Sequence, residues 1–173
     1  MKKEVTDMLF WIEALVLCAV FTAIVVPSAM KDPLAWVDSY PPAIGERCRE
    51  LGLVPKEQKH MPFSVVLRKV IFSLFAVVLL ALAAVFLNHK TTFLGGFLLS
   101  YGLWLVVDWY DALILDCCWV CHSRRVIIPG TEDLTGAYHD YKFHILQSCL
   151  GMAIGLPVAL LAGLATRIIA GMV

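Results

Sequence analysis

Charge is scarce in this chain. Only 16% of its 173 residues are Asp, Glu, Lys or Arg, and the two signs cancel to a net charge of zero. A soluble domain carries roughly 25%. With no basic surplus to neutralise phosphates, nothing points to nucleic acid as a partner. No glycine-rich phosphate loop, no G-x-S-x-G elbow and no H-E-x-x-H zinc motif is present. Five histidines are too few for the histidine boxes of membrane hydroxylases. No stretch is left over for a separate soluble domain.

What fills the chain instead is apolar: 60% of its residues are hydrophobic. They gather in four blocks, Met8–Ala29, Val70–Leu87, Phe93–Leu115 and Ile145–Ile169. Each approaches or exceeds the roughly 20 residues that a helix needs to cross a hydrocarbon core. The expected fold is all-α: a polytopic integral membrane protein, a four-transmembrane-helix bundle forming one domain over residues 1–173. Loops are expected at 30–69 and 116–144. Lys2 and Lys3 before an apolar run also fit a cleaved signal. Glu4, Asp7, Glu13 and the length of the run argue against it.

Of the 14 Lys and Arg, ten fall in the two long loops and four on the opposite side. The positive-inside rule therefore predicts a multi-pass cell-membrane protein with cytoplasmic long loops and both termini outside. Cys48, Cys117, Cys118, Cys121 and Cys149 would then lie in or near a reducing compartment, which disfavours a disulfide framework.

The first loop reads as structured. Tyr40-Pro41-Pro42 ends one segment and presets a short interfacial helix over Ala43–Leu51, capped by Gly52. Pro55, Lys56, Lys59, His60 and Pro62 form a polar hinge into the second span. In the second loop Ile128-Pro129-Gly130 turns the chain, and Thr131 is the expected N-cap of a helix running into the fourth span. Gly151, Gly155, Ala159 and Gly163 recur every four residues, a spacing that lets helices approach closely. Packing within the chain is the default use of this face, and a homo-oligomer contact is the alternative.

Chemistry concentrates at one end of the third and fourth spans. On an ideal α-helix Trp104, Asp108, Asp111, Leu115, Cys118 and His122 share one stripe, with Asp116, Cys117 and Cys121 pointing elsewhere. Asp108 lies about 22 Å along the axis from Phe93, at about 1.5 Å per residue. That places it near the cytoplasmic boundary of the hydrocarbon, not at its centre; a carboxylate at membrane depth is costly and typically functional. Asp140 and His144, four apart, are expected on one face. Asp108, Asp111, Asp140 and His144 are thus candidate ligands for a divalent metal, Zn, Mn, Fe or Mg. Asp108, Asp111, His122 and His139 are candidate acid–base groups. Arg124, Arg125 and Lys142 are candidate holders of an anionic substrate, lipid-linked or amphipathic. The structural alternative is that these carboxylates pair with Arg124, Arg125 or Lys142 and fix the loop. In that case the aromatic residues form an interfacial belt.

Two motifs compete with that reading. Cys118-Trp119-Val120-Cys121-His122 is a literal C-x-x-C-H, the haem c attachment pattern or a thiol redox pair. A cytoplasmic position disfavours haem c. Asp108-x-x-Asp111-x-x-x-x-Asp116 is similar in its chemistry to the Asp-rich motifs of intramembrane prenyltransferases, which hold Mg and a diphosphate. Its last spacing is one residue longer, and a second such motif is missing. A transporter or ion-pathway role needs polar groups through the full depth of the membrane. The second span offers almost none, and Glu13 is the only acidic group near the other side.

Overall fold

The computed structural model describes residues 2–55 and 63–173. Every regular element among the described residues is helical, and the α-helices are α1 Lys2–Lys31, α2 Pro42–Glu50, α3 Phe63–Leu82, α4 Phe93–Tyr110, α5 Thr135–Tyr138 and α6 Tyr141–Ala170. Shorter segments join them: 3₁₀ turns at Pro33–Ser39, Val120–His122 and Arg124–Val126, and π-helix at Ala83–Leu87 and Asp111–Trp119. Four stretches are long and apolar enough to cross a membrane: Met8–Lys31, Val70–Leu87, Phe93–His122 and Thr135–Ala170. Their outer faces carry bare apolar side chains such as Leu15 (69% exposed) and Phe72 (70% exposed), a pattern suited to lipid. The fold is the expected four-span all-α arrangement with a short helix in its first loop. Lys56, Lys59, His60 and Pro62 of the anticipated hinge lie outside the described residues.

The chain divides into two compact units. One comprises residues 1–17, 60–108 and 150–173. Here Ala14 of α1, Ala84 of the first π segment, and Leu99 and Leu103 of α4 form a buried apolar cluster. Phe10, Leu17, Leu80 and Val106 pack around it. The spacing of Phe10, Ala14 and Leu17 on α1 is the three-and-four step of one helical face. The small residues of α6 pack within the chain. Gly155 lies under the indole of Trp104, and a Cβ on Gly163 would meet the Phe93 carbonyl oxygen at 2.8 Å. The Trp104 indole N–H donates to the Gly151 carbonyl at 3.0 Å, and the Tyr101 hydroxyl donates to that of Met152 at 3.3 Å. Both carbonyls lie within about two turns of Pro157, where α6 lacks one backbone donor.

The other unit comprises residues 18–59 and 109–149. Its core is Tyr40, Ile44, Cys48, Val126, Ile128 and Tyr138, with Ala29 beside them. Aromatic hydroxyls satisfy the loop backbone inside it. Tyr40 donates to the Val126 carbonyl at 2.9 Å, and the Ile128 N–H donates to the Tyr138 hydroxyl at 3.0 Å. Burial pushes the Tyr40 phenol well above its ordinary 10.0. Burial also raises the Cys48 thiol, against a smaller opposing effect of Arg49. Helix α2 ends as anticipated. Gly52 adopts φ +72°, its N–H donates to Arg49 O, and the Leu53 N–H donates to Cys48 O. This left-handed cap is open to glycine without strain.

Two local expectations are corrected. Thr131 is not an N-cap: its hydroxyl donates to Ile128 O at 2.7 Å and joins the Tyr138 hydroxyl at 2.8 Å, inside the core. Glu132 accepts from the Gly130 N–H, and Asp133 forms a two-pronged pair with Arg47 at 3.1 Å. The helix into the fourth span breaks after Tyr138 and restarts at Tyr141, with Asp140 as its cap.

Candidate functional site

The centre of the polar region is set by a change of helical pitch. α4 is α-helical to Tyr110, and the chain then runs as π-helix over Asp111–Trp119. A π-helix bonds each N–H five residues back instead of four, so side chains advance less around the axis per residue. The stripe expected from an ideal α-helix therefore ends at Tyr110. Asp116, expected to point elsewhere, meets His144.

His144 Nδ1 lies 3.0 Å from Asp116 Oδ2. An ionised carboxylate only accepts, so Nδ1 donates to it, and in the neutral imidazole the lone pair is then on Nε2. His144 is 2% exposed, and its Nε2 has no hydrogen-bond partner. Asp116 is partly open, with 28% of its side chain exposed. The result is a buried imidazole, oriented from one side by a carboxylate, with no protein partner for its other nitrogen.

Asp140 is four residues before His144, but it is not on the helix. Its Oδ1 accepts from the Phe143 N–H at 3.0 Å, the position of an N-cap, where the backbone has not yet entered the helical spiral. The shared face predicted for Asp140 and His144 does not form for that reason. Asp108 belongs to the first unit, where its carboxylate lies against Gly151 of α6. Asp111 is half-buried in the second unit. Among the described residues, no three His, Cys, Asp or Glu side chains gather as a metal-holding group.

A second imidazole pair flanks this stretch. The rings of His122 and His139 stand edge to face at 5.3 Å. His122 Nε2 is 3.3 Å from the Tyr141 hydroxyl, and His139 Nδ1 donates to the Thr135 carbonyl at 2.7 Å. Both histidines are exposed, as are Arg124, Arg125 and Lys142. The C-x-x-C-H thiols differ in environment: Cys118 is exposed, whereas Cys121 is buried in the turn at Val120–His122.

Asp116 is the site residue that periodicity misplaced. One signal for it was available. A stretch with three carboxylates and three thiols at a membrane boundary is a weak candidate for regular α-helix, and π-helical turns concentrate at such places. No family model, no curated protein and no solved structure matches the chain.

Proposed function

We propose that the Asp116–His144 pair is the working centre of a small membrane-embedded protein that acts on an amphipathic anionic substrate, lipid-linked, at the cytoplasmic membrane face. The observation that carries this reading is the buried, unpartnered Nε2 of His144. Leaving a buried polar atom unpaired costs about 1–3 kcal/mol. A chain that keeps an imidazole in this state, with Asp116 fixing its tautomer, holds a base ready for a proton. Nε2 would take the proton of a substrate hydroxyl or water, and Asp116 would stabilise the imidazolium formed. His122 and His139 are secondary acid–base candidates beside Tyr141. The exposed cations Arg124, Arg125 and Lys142 suit the anionic part of the substrate. The excess of Lys and Arg in the long loops supports the cytoplasmic side. A divalent metal, if the protein carries one, would take Nε2 as a ligand, with Asp116 as the group behind it.

The test uses full-length protein in lipid nanodiscs, incubated with a total polar lipid extract and followed by mass spectrometry. Elemental analysis of the same sample for Zn, Mn and Fe addresses the metal. Wild-type protein should convert a lipid species. His144→Gln and Asp116→Asn should slow that conversion by about 10²–10⁴-fold while remaining folded. Conversion at wild-type rate in both variants, or no conversion by the wild type, overturns the reading.

A further inference from the structure

A second buried polar group lies in the other unit and is not used by the site above. Glu13 is the only ionisable residue between Met8 and Leu17 on α1. Its Oε1 accepts from Asn88 Nδ2 at 2.7 Å. The same nitrogen also faces the Ala83 carbonyl at 3.4 Å. Two acceptors around one end of the amide fix that end as nitrogen and the other as oxygen. Asn88 is 8% exposed. Its Oδ1 and the second carboxylate oxygen, Glu13 Oε2, are both buried without a hydrogen-bond partner.

The backbone is shaped to put Asn88 there. The π segment Ala83–Leu87 ends with the Asn88 N–H on Ala83 O, and the Lys90 N–H reaches back to Ala84 O at 2.8 Å. This closure requires His89 at φ +52°, a left-handed conformation that non-glycine residues seldom adopt. Strain of this kind persists where the surroundings over-determine it. Its product here is an inward-facing carboxamide next to a carboxylate.

Both orphaned atoms are lone-pair acceptors, and one bears a share of a negative charge. A donor from water would satisfy the lone pairs but leave the charge. A buried charge without a counter-charge is far more costly than an unpaired dipole. What answers both needs is one positive charge between two oxygens. We propose that Glu13 and Asn88 form a binding site for a single monovalent cation, a proton or a sodium ion, bridging Glu13 Oε2 and Asn88 Oδ1.

Among the described residues, few other titratable groups lie on the elements that carry Glu13 and Asn88. Residues 70–87 carry no titratable side chain, and residues 93–107 carry one, Tyr101, whose hydroxyl is committed to Met152 O. On α1 the next titratable residues are Asp7 and Cys18. His89 is exposed, the Lys90 stem lies beside Gly95, and Arg167 of α6 is exposed.

The experiment measures the thermal midpoint of detergent-purified full-length protein in two series. In one, sodium replaces choline at constant ionic strength. In the other, pH is varied across the neutral range without sodium. Wild type, Glu13→Gln and Asn88→Ala are compared. A ligand that binds only the folded state raises the midpoint. A sodium site predicts that sodium raises the wild-type midpoint by several degrees and leaves both variants unmoved. A proton site predicts no sodium response and a wild-type midpoint that falls as pH rises, since the bound proton is then lost. Glu13→Gln, which cannot ionise, should be flat in that series. Wild type and Glu13→Gln moving in parallel through both series overturn the proposal. If Glu13→Gln does not fold, Asn88→Ala, which keeps the charge and loses Oδ1, replaces it: a sodium site predicts no sodium response, a proton site predicts a pH decline displaced from that of the wild type, and curves parallel to the wild type in both series overturn the proposal.

Discussion

Tyr40 shows how much one hydroxyl can hold. It stands edge to face with Tyr138 at 5.5 Å and donates to the carbonyl of Val126 from the opposite side of the second unit's core. Tyr40→Phe keeps the ring and strands that carbonyl. Loss of about 1–2 kcal/mol is expected, read as a lower midpoint in thermal or denaturant unfolding. The same residue imposes a pH limit. Its folded-state pKa is raised above the ordinary 10.0, so its contribution is complete below that value and is lost as pH climbs beyond it. The alkaline decline of the wild-type midpoint should therefore be shallower in Tyr40→Phe. An equally steep decline would show that another group governs it. None of this was visible in the sequence, where Tyr40 reads only as the residue before two prolines. Asn88 and Thr131 were hidden in the same way. A short polar residue in a connection looks like a turn former until long-range partners, which periodicity does not encode, are known.

At the scale of the element, the decisive feature is the π-helix at Asp111–Trp119. Four membrane-spanning helices could be read from hydropathy, because apolar length is a property of composition and survives any change of pitch. The polar stripe could not, because it depends on accumulated rotation. The wider pitch over Asp111–Trp119 changes where the side chains of this stretch point, and Asp116 meets His144 there. The candidate region was thus legible as a place and His144 as a member, but its partner was not. Deleting Ile114, which is exposed, removes one residue from this stretch. Restoring α-helical pitch would turn everything after it by about 100° relative to the present arrangement. The deletion variant should retain its helical circular dichroism and lose lipid conversion as Asp116→Asn does. Unchanged conversion would show that the widened pitch does not position the carboxylate. Asp140 teaches the complementary lesson. Four-residue spacing implies a shared face only when both residues are inside the helix, and a cap is outside it.

At the scale of the whole molecule, the small residues of α6 are spent within the chain, against Asp108, Trp104 and Phe97. The orientation of the molecule is open to a direct measurement. Cys118 is exposed in the stretch proposed to face the cytoplasm. A membrane-impermeant maleimide applied to intact cells should leave it unlabelled, and permeabilisation should label it. With Cys149, which is also exposed, already replaced by Ser, Cys118→Ser should lose that label. Labelling in intact cells would reverse the proposed sidedness and place the His144 site outside.

The tight closure at Asn88–His89–Lys90 bears on how the protein is made. Only residues 88–92 separate the π segment from α4, and Lys90 is the one fixed charge among them. The second and third spans can therefore enter the bilayer together as a preformed hairpin. In the orientation proposed above, the insertion machinery would have a single ammonium to carry across, in place of a hydrated loop.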